Sequence, residues 1–472
     1  MIRLLLSASG RLLATCPPFL VRALCVMVGS SIYLSLRGRR RQALRALHSA
    51  FPRKTERQRR AILRESCARL VEMGLFLLAS PHFHDRRIRE TVRLAPEDAA
   101  SLKRHISDES THPTVVLVPH FTLSETLTLL PQVLPYRMAT TAVVFRPINQ
   151  PAVDRWVRET RERFGIKLAS RRDGFSSVAR CLEGNGIAGV LFDQSAGSSG
   201  ALITMFDRLA SATELPGLLA GRQKAETLVF IPERIGFWRG RLRFKFIQEN
   251  SPAGITLAAH HWLERYLAES DDHCADWLWL HDRWGTQDKA KRRFQLRNKR
   301  NRLAASNAFH GRPETPRETR LWITMPDSPD DCRILLPLLR AIREARPDMG
   351  LTLFTNQKSL VELEQSAVAE RCLAPPSNRI SRLRFFYRLR REYGDVHLVF
   401  PESFQADLEA WLAGAPQRFG LHRAGKRRHL LTDPHKPISL PLEATPVQIW
   451  SALLNAYGLP EQVIPKRNAS NP

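Results

Sequence analysis

The sequence predicts an α/β protein: an N-terminal membrane helix followed by two domains, each built on a largely parallel sheet. Three observations predict this architecture. Short runs rich in β-branched residues alternate with helical patterns, which is typical of parallel sheets. The alternation occurs twice, on either side of a basic stretch near residue 300. A mostly apolar segment stands close to the N-terminus, and the length of 472 residues fits two or three domains.

The first element is the apolar segment 17–36, which holds one charge, Arg22, and is followed directly by an Arg-rich cluster at 37–41. About 20 apolar residues suffice to cross a bilayer, and cations beside such a segment favour the cytoplasmic side and anionic lipids. We therefore expect residues 1–41 to attach the protein to a membrane. Arg22 and a Pro pair leave an interfacial helix equally open, and the segment could also be a cleaved signal peptide or a buried core helix.

The first domain is expected over residues 42–287. Apolar residues recur three to four apart over 42–80, which predicts helix with one break at Phe51-Pro52. Four predicted strands come next, with helical patterns between them, as at 153–165. The strands are 114–119, 139–145, 186–192 and 226–235.

A basic stretch interrupts the pattern and predicts a solvated helix or linker over 288–319. The strand and helix alternation then resumes and predicts a second domain over 320–465, with a short tail at 466–472. Its predicted strands are 321–325, 351–355 and 396–400, with a helix at 334–347.

The charge is uneven along the chain. The formal net charge is +26, yet residues 311–472 hold 23 basic and 18 acidic residues. Most of the excess therefore lies in residues 1–310, and the first 50 residues contain eight Arg and no Asp or Glu. Such an excess implies a polyanionic partner: nucleic acid, anionic lipid or an acidic carrier protein. The seven Cys form no CxxC pair, which favours reduced thiols over a zinc site or a disulfide framework.

A possible catalytic pair stands at the end of the first predicted strand. His120 follows strand 114–119, and Glu125 comes five residues later, in the pattern H-x4-E. A histidine can remove the proton of an attacking hydroxyl near neutral pH, and a carboxylate can hold its imidazole in the useful tautomer. Because His120 precedes the predicted helix and Glu125 lies in its early turns, both are expected near the carboxyl ends of the strands.

Five elements of this region, in order, resemble the lipid A biosynthesis lauroyl/myristoyl acyltransferases, which are distant relatives of the glycerol-phosphate acyltransferases. The resemblance covers about residues 1–287. The elements are a basic stretch ending in Ala-Phe-Pro at 39–52, the His120 and Glu125 motif, an Arg-Pro element at 145–151, an apolar strand ending in Asp-Gln at 190–194, and a Trp-Leu-Trp-Leu-His element within 276–284. The chain departs from the family pattern at Ser195, Asp207, Asp282 and Gly285, which puts the identity of the acceptor in doubt.

The resemblance implies an O-acyltransferase that moves a fatty acyl chain onto a hydroxyl of a lipid A-type glycolipid or lysolipid. His120 would be the general base and Glu125 its orienting partner. Arg146, Asp193 and Gln194 would bind substrate, although a salt bridge between Arg146 and Asp193 is the alternative. No metal or cofactor is expected, because the acyl donor is itself a substrate.

The same resemblance implies the partners and the location. The donor would be acyl carrier protein or acyl-CoA, the acceptor a glycolipid, and the surface an anionic membrane lipid. The place would be the cytoplasmic face of a bacterial inner membrane. Nucleic acid is not expected, because no zinc, helix-turn-helix or RNA-binding motif accompanies the basic stretch.

Residues 320–465 resemble the N-terminal half of the lipopolysaccharide heptosyltransferases, chiefly over 325–347 and 399–433. The resemblance implies a Rossmann-like domain in which Asp331 aligns with the base that acts on the acceptor hydroxyl. Asp330 stands where those enzymes have Gly, and the half that binds the sugar nucleotide is not expected. The alternatives to acyl transfer are therefore a glycosyltransferase-related activity or a non-catalytic glycolipid-binding scaffold.

Overall fold

The computed structural model describes residues 2–170, 175–423, 425, 427–432 and 444–461. The predicted tail 466–472 lies outside the described residues. Contacts divide the chain into two compact units. The first unit comprises Met1–Met205, Ser211–Arg283 and Arg300–Phe309, and the second comprises Phe206–Ala210, Trp284–Lys299 and the chain from His310 onward.

The first unit begins with helices and continues as alternating strands and helices. Its helices are α1 Ile2–Thr15, α2 Pro18–Ser35, α3 Arg37–Ala50, α4 Glu56–Ala79, α5 Asp85–Thr91, α6 Pro96–Ile106, α7 Pro151–Glu162, α8 Ser176–Glu183, α9 Leu215–Gln223, α10 Pro252–Glu269, α11 Asp271–Asp276 and α12 Leu303–Phe309. The strands up to that point are β1 Val92–Arg93, β2 Thr114–Val118, β3 Thr141–Phe145, β4 Lys167–Ser170, β5 Ile187–Leu191, β6 Ala201–Met205, β7 Arg208–Ala212, β8 Glu226–Gly236, β9 Arg239–Ile247 and β10 Arg300–Asn301.

The main sheet of the first unit has seven strands in the order β1-β9-β8-β2-β5-β3-β4. Every pair is parallel except the β8–β9 hairpin, so the predicted α/β class and the four predicted strands are confirmed. Strand β2 lies at the centre, and all five of its residues are buried. This burial on both faces explains its unbroken apolar and β-branched composition.

The predicted break near Phe51 separates α3 from α4. Helix α4 begins at a capping box, in which the Thr55 hydroxyl accepts from the Gln58 backbone N–H and the Gln58 side chain accepts from the Thr55 N–H. Among the described residues, α2 is the helix that is long and apolar enough to cross a membrane.

The second unit is a separate five-stranded parallel sheet with the order β13-β12-β11-β14-β15. Its strands are β11 Thr319–Thr324, β12 Met349–Phe354, β13 Arg371–Leu373, β14 Val396–Val399 and β15 Gln417–Gly420. Its helices are α13 Pro329–Ala345, α14 Gln357–Gln365, α15 Arg379–Leu389, α16 Phe404–Ala413 and α17 Pro446–Ala456. The three strands predicted here are all present.

The basic stretch 288–319 differs from the predicted solvated helix or linker. Phe294 is fully buried in the core of the second unit, and the neighbouring Arg293 side chain is also buried. In the first unit, Arg300 and Arg302 both bind the carboxylate of Glu214. The segment was expected in solvent because of its charge, but an apolar residue and ion pairs hold it in place.

Candidate active site

Two neighbouring strands bring the candidate catalytic residues together. β2 and β5 pair in parallel with Val118 opposite Leu191, so both strands end at the same edge of the sheet. His120 follows the first strand after one proline, and Asp193 follows the second after Phe192. The carboxyl ends of parallel strands are where open α/β sheets place their sites.

His120 and Asp193 are in direct contact. The imidazole Nδ1 lies 2.5 Å from Asp193 Oδ1, and the His120 backbone N–H donates to Oδ2 at 2.9 Å. The Trp277 indole N–H donates to the same Oδ2 at 2.6 Å. The Asp193 side chain is 1% exposed whereas that of His120 is 24% exposed. The carboxylate is therefore buried, and the imidazole that contacts it is partly exposed.

The contacts of Asp193 determine its ionisation. Burial alone would raise the pKa of this carboxyl. The charge of His120 and the hydrogen bonds from its ring, from Trp277 and from the His120 backbone instead lower the pKa to about 2. Near neutral pH Asp193 is an anion and only accepts, so the proton of a neutral imidazole resides on Nδ1. The other ring nitrogen, Nε2, then carries the lone pair that a general base needs.

Glu125 does not take the position expected of it. Its carboxylate pairs with the Arg161 guanidinium from α7, with Nε 3.0 Å from Oε2 and a second, shorter contact. The segment Ser124–Gln132 is a 3₁₀ helix rather than the expected α-helix. Among the described residues, the hydrogen-bond partner of the His120 ring is Asp193. Asp193, at the end of the adjacent strand, thus takes the place beside His120 that was expected for Glu125.

Side chains that are not among the predicted site residues hold the turn that carries His120. The Ser124 hydroxyl accepts from the Phe121 N–H at 2.9 Å and lies 2.9 Å from the Pro119 carbonyl. The Thr122 N–H donates to the Asp276 carbonyl at 3.2 Å. Ser124 lies inside the H-x4-E motif, and its position between His120 and Glu125 was the signal that could have identified it.

The Trp-Leu-Trp-Leu-His element forms the wall behind the pair. Trp277 reaches Asp193, and its carbonyl accepts from the Ser66 hydroxyl of α4 at 2.8 Å. Asp276 is ion-paired with Arg69 of the same helix at 2.9 Å. Burial, opposed by the Arg69 charge, raises the pKa of Asp276 to about 6.

A second histidine, within this element, holds the loop after Asp193. The Ser195 backbone N–H donates to His281 Nε2 at 3.2 Å. Burial and the neighbouring Arg283 charge lower the pKa of His281, which favours the neutral form that can accept. The Arg283 guanidinium is buried and donates to the Ser211 carbonyl at 2.7 Å.

The remaining predicted substrate-binding residues of the first unit lie at the surface. Arg146 and Gln194 are both exposed. The alternative of a salt bridge between Arg146 and Asp193 does not agree with the described contacts, because His120 and Trp277 occupy the Asp193 carboxylate.

The predicted site residue of the second unit lies in a helix. Asp331 is in the first turn of α13, where its backbone N–H donates to the Ser328 hydroxyl that caps the helix. Asp330 is also helical, so the absence of a glycine there requires no left-handed backbone.

Comparison with known proteins bears on the first unit. The protein-family model of the bacterial lipid A biosynthesis acyltransferases matches residues 1–286. The chain belongs to this family. The matched range contains His120, Asp193, Trp277 and His281, so their contacts are those of a lipid A biosynthesis acyltransferase domain. No curated protein matches the chain.

Two solved structures of glycosyltransferases are similar to part of the chain. One is the E. coli ADP-heptose lipopolysaccharide heptosyltransferase II, with 21% identity, a TM-score of 0.26, and coverage of 31% of this chain and 44% of that one. The other is a glycosyl transferase family 9 structure from Veillonella parvula, with 17% identity, a TM-score of 0.26, and coverage of 30% and 42%. This chain spans less than half of either protein.

Proposed function

We propose that the protein is an O-acyltransferase in which His120 is the general base and Asp193 orients it. The observation that carries the proposal is the 2.5 Å contact between His120 Nδ1 and a buried Asp193 anion, at the ends of two adjacent parallel strands. Membership of the acyltransferase family supports the reaction class.

The chemistry depends on the two ring nitrogens. Nε2 of His120 takes the proton of an acceptor hydroxyl while its oxygen attacks the thioester carbonyl of the donor. The tetrahedral intermediate then expels the donor thiolate, which receives the proton back from the imidazolium. Asp193 remains ionised throughout, which its lowered pKa supports, and it stabilises the imidazolium.

The donor is an acyl thioester on acyl carrier protein or CoA, and the acceptor is a hydroxyl of a lipid A-type glycolipid. The basic excess of residues 1–310 suits both an acidic carrier and lipid phosphates. The exposed Arg146 and Gln194 would contact the anionic part of a substrate. We place the activity at the cytoplasmic face of a bacterial inner membrane, where such substrates and the apolar α2 would meet.

Glu125 is assigned a positioning role. Its pair with Arg161 ties the 3₁₀ helix that follows His120 to α7. A bidentate guanidinium–carboxylate pair fixes orientation as well as charge. The H-x4-E motif would therefore support the site without Glu125 transferring a proton.

The test is acyl transfer by the full chain with acyl carrier protein donors and a lipid A precursor. His120→Ala is expected to lower kcat by about 10²–10⁴-fold, the range that a general base contributes. The matched control is His112→Ala, which changes an exposed histidine of the loop before β2. Turnover of His120→Ala at the wild-type rate would remove the mechanism.

We propose that the second unit recognises the sugar part of the glycolipid, because its sequence resembles the half of the heptosyltransferases that faces the acceptor. Asp331→Ala should then weaken acceptor binding and leave kcat for acyl transfer unchanged. Sugar-nucleotide turnover abolished by Asp331→Ala but kept by His120→Ala would instead favour the glycosyltransferase alternative.

A further inference from the structure

Helix α2 has two faces with different surroundings. Val21, Cys25, Gly29 and Tyr33 are buried at four-residue spacing, on a helix that packs against α4. Leu20, Met27 and Leu34 lie on another face at seven-residue spacing, and each is more than half exposed. One side of the helix is therefore already occupied by protein along its whole length.

The packing of α2 against α4 is close and antiparallel. A Cβ on Gly29 would come within 2.5 Å of the Ala68 backbone, so the two helices touch at that point. Nearer the end of α2, the guanidinium carbon of Arg64 in α4 lies 5.3 Å from the centre of the Tyr33 ring. Helix α4 also carries Glu72, whose buried carboxylate accepts from Arg234 and from the Trp238 N–H. Helix α4 is thus an integral and charged part of the first unit.

Both neighbours of α2 rest on the same unit. In α1, a Cβ on Gly10 would meet the Leu78 carbonyl of α4, and Arg3 pairs with Glu159 of α7 at 2.9 Å. On the other side of α2, helix α3 packs against α4. A helix that crossed a bilayer would instead separate its two flanking segments by the membrane.

The uncovered side has the chemistry of a membrane interface. Leu5 and Leu12 of α1 add exposed apolar side chains to those of α2. Arg37, Arg39 and Arg41 follow α2 and are exposed, and the first 50 residues contain no carboxylate side chain. Apolar side chains beside clustered cations and no anions match a leaflet of anionic lipid.

We propose that α1 and α2 lie in the plane of one anionic leaflet, with α4 as their protein-side support, and that α2 does not cross the bilayer. The inference rests on the proposed action of the protein at a membrane. The exposed Arg22, in the first turns of α2, is then able to reach the headgroups along the surface. In a spanning helix it would enter the hydrocarbon near one end.

Depth measurement in vesicles distinguishes the two arrangements. Nitroxide labels are placed on the full chain by Leu20→Cys, Met27→Cys or Leu34→Cys, with the partly exposed Cys16, Cys181 and Cys372 changed to Ser. Vesicles contain phosphatidylcholine with phosphatidylglycerol. An in-plane helix puts all three labels at one shallow depth, whereas a spanning helix spreads them over about 21 Å, since each residue rises about 1.5 Å. A graded depth, or labels that all remain in water, overturns the proposal.

Vesicle flotation tests the same face by partitioning. The double variant Leu24→Glu with Met27→Glu should lower binding to anionic vesicles by about ten-fold or more, because charges on the membrane-facing side of an interfacial helix oppose insertion. Leu218→Glu, at an exposed leucine of α9, is the matched control and should bind like wild type. Unchanged binding of the double variant overturns the proposal. His120→Ala should float like wild type, so loss of chemistry and loss of attachment remain separate results.

Discussion

Both units contain a largely parallel sheet, but a histidine lies beyond the end of a strand in the first unit and within a strand in the second. In the first unit His120 stands beyond the end of β2, and a quarter of its side chain is exposed. In the second unit His397 lies inside β14 and is fully buried, with Nε2 2.9 Å from the Thr324 hydroxyl of the adjacent β11. Burial and the Arg418 charge lower the pKa of His397 to about 3, so it remains neutral. A parallel sheet encloses a histidine within a strand and exposes one just beyond the strand's carboxyl end.

The buried carboxylates differ in the same way. Asp193 of the first unit is paired with the imidazole of His120. Asp395 and Asp348 of the second unit are paired with the guanidinium groups of Arg208 and Arg346. A histidine is a side chain that can act as a general base, whereas a guanidinium is not, so the proposed mechanism is built on the first arrangement.

The largest expected effect distinguishes Asp193 from Glu125, the two carboxylates to which the proposed mechanism gives different roles. Asp193→Asn should lower kcat by about 10³-fold or more, because an amide at this place no longer holds the tautomer with a free Nε2. Glu125→Gln should cost about ten-fold, because it weakens only a positioning pair. Steady-state kinetics with pH profiles measure both. A greater loss in Glu125→Gln would return the orienting role to Glu125.

The next largest effect is expected at His397, the fully buried histidine of β14. His397→Ala should lower the free energy of unfolding of the second unit by about 2–4 kcal/mol, since it opens a cavity and leaves the Thr324 hydroxyl without its partner. Acyl transfer should stay near wild type. Chemical denaturation measured together with activity checks this, and a loss of turnover at unchanged stability would contradict the division between the units.

Each unit contains a buried histidine that should make its stability fall as the pH is lowered. Burial and the Arg283 charge lower the pKa of His260 in the first unit to about 3, as burial also does for His397. The unfolded chain takes up a proton near pH 6.5 while the folded histidines do not, so stability is full above about pH 6.5 and falls toward pH 3. Urea midpoints at about pH 7.5 and 5 measure the fall. His260→Gln and His397→Gln should each make it shallower, and an unchanged slope in both would rule out these histidines as its source.

The smallest effect is expected at the loop after Asp193. His281→Ala removes the acceptor of the Ser195 N–H and should lower kcat by about ten-fold, which corresponds to the loss of one hydrogen bond. His281→Gln, which can still accept, should recover part of the rate. Equal losses of kcat in both variants would indicate a packing role instead.

Much of the fold could be predicted from local patterns. The β-branched runs correctly predicted β2, β3, β5 and β8, and the strand before His120 correctly placed that residue at a strand end. The break at Phe51 was also visible, because a proline comes directly after it. The basic stretch was predicted to be solvated because its charge is evident in the sequence. That prediction was wrong, because the burial of Phe294 depends on residues far along the chain.

By itself, the sequence determined the α/β class, the predicted strands, the candidate catalytic histidine and the basic N-terminus without acidic residues. These depend on hydrophobic periodicity, residue chemistry and composition, which are local properties. Only the tertiary structure decided which carboxylate meets His120 and which face of α2 remains uncovered. Asp193 stands 73 positions from His120 and becomes its neighbour only because β5 pairs with β2. Strand order and helix packing arise from contacts between distant segments, and no spacing along the chain records them.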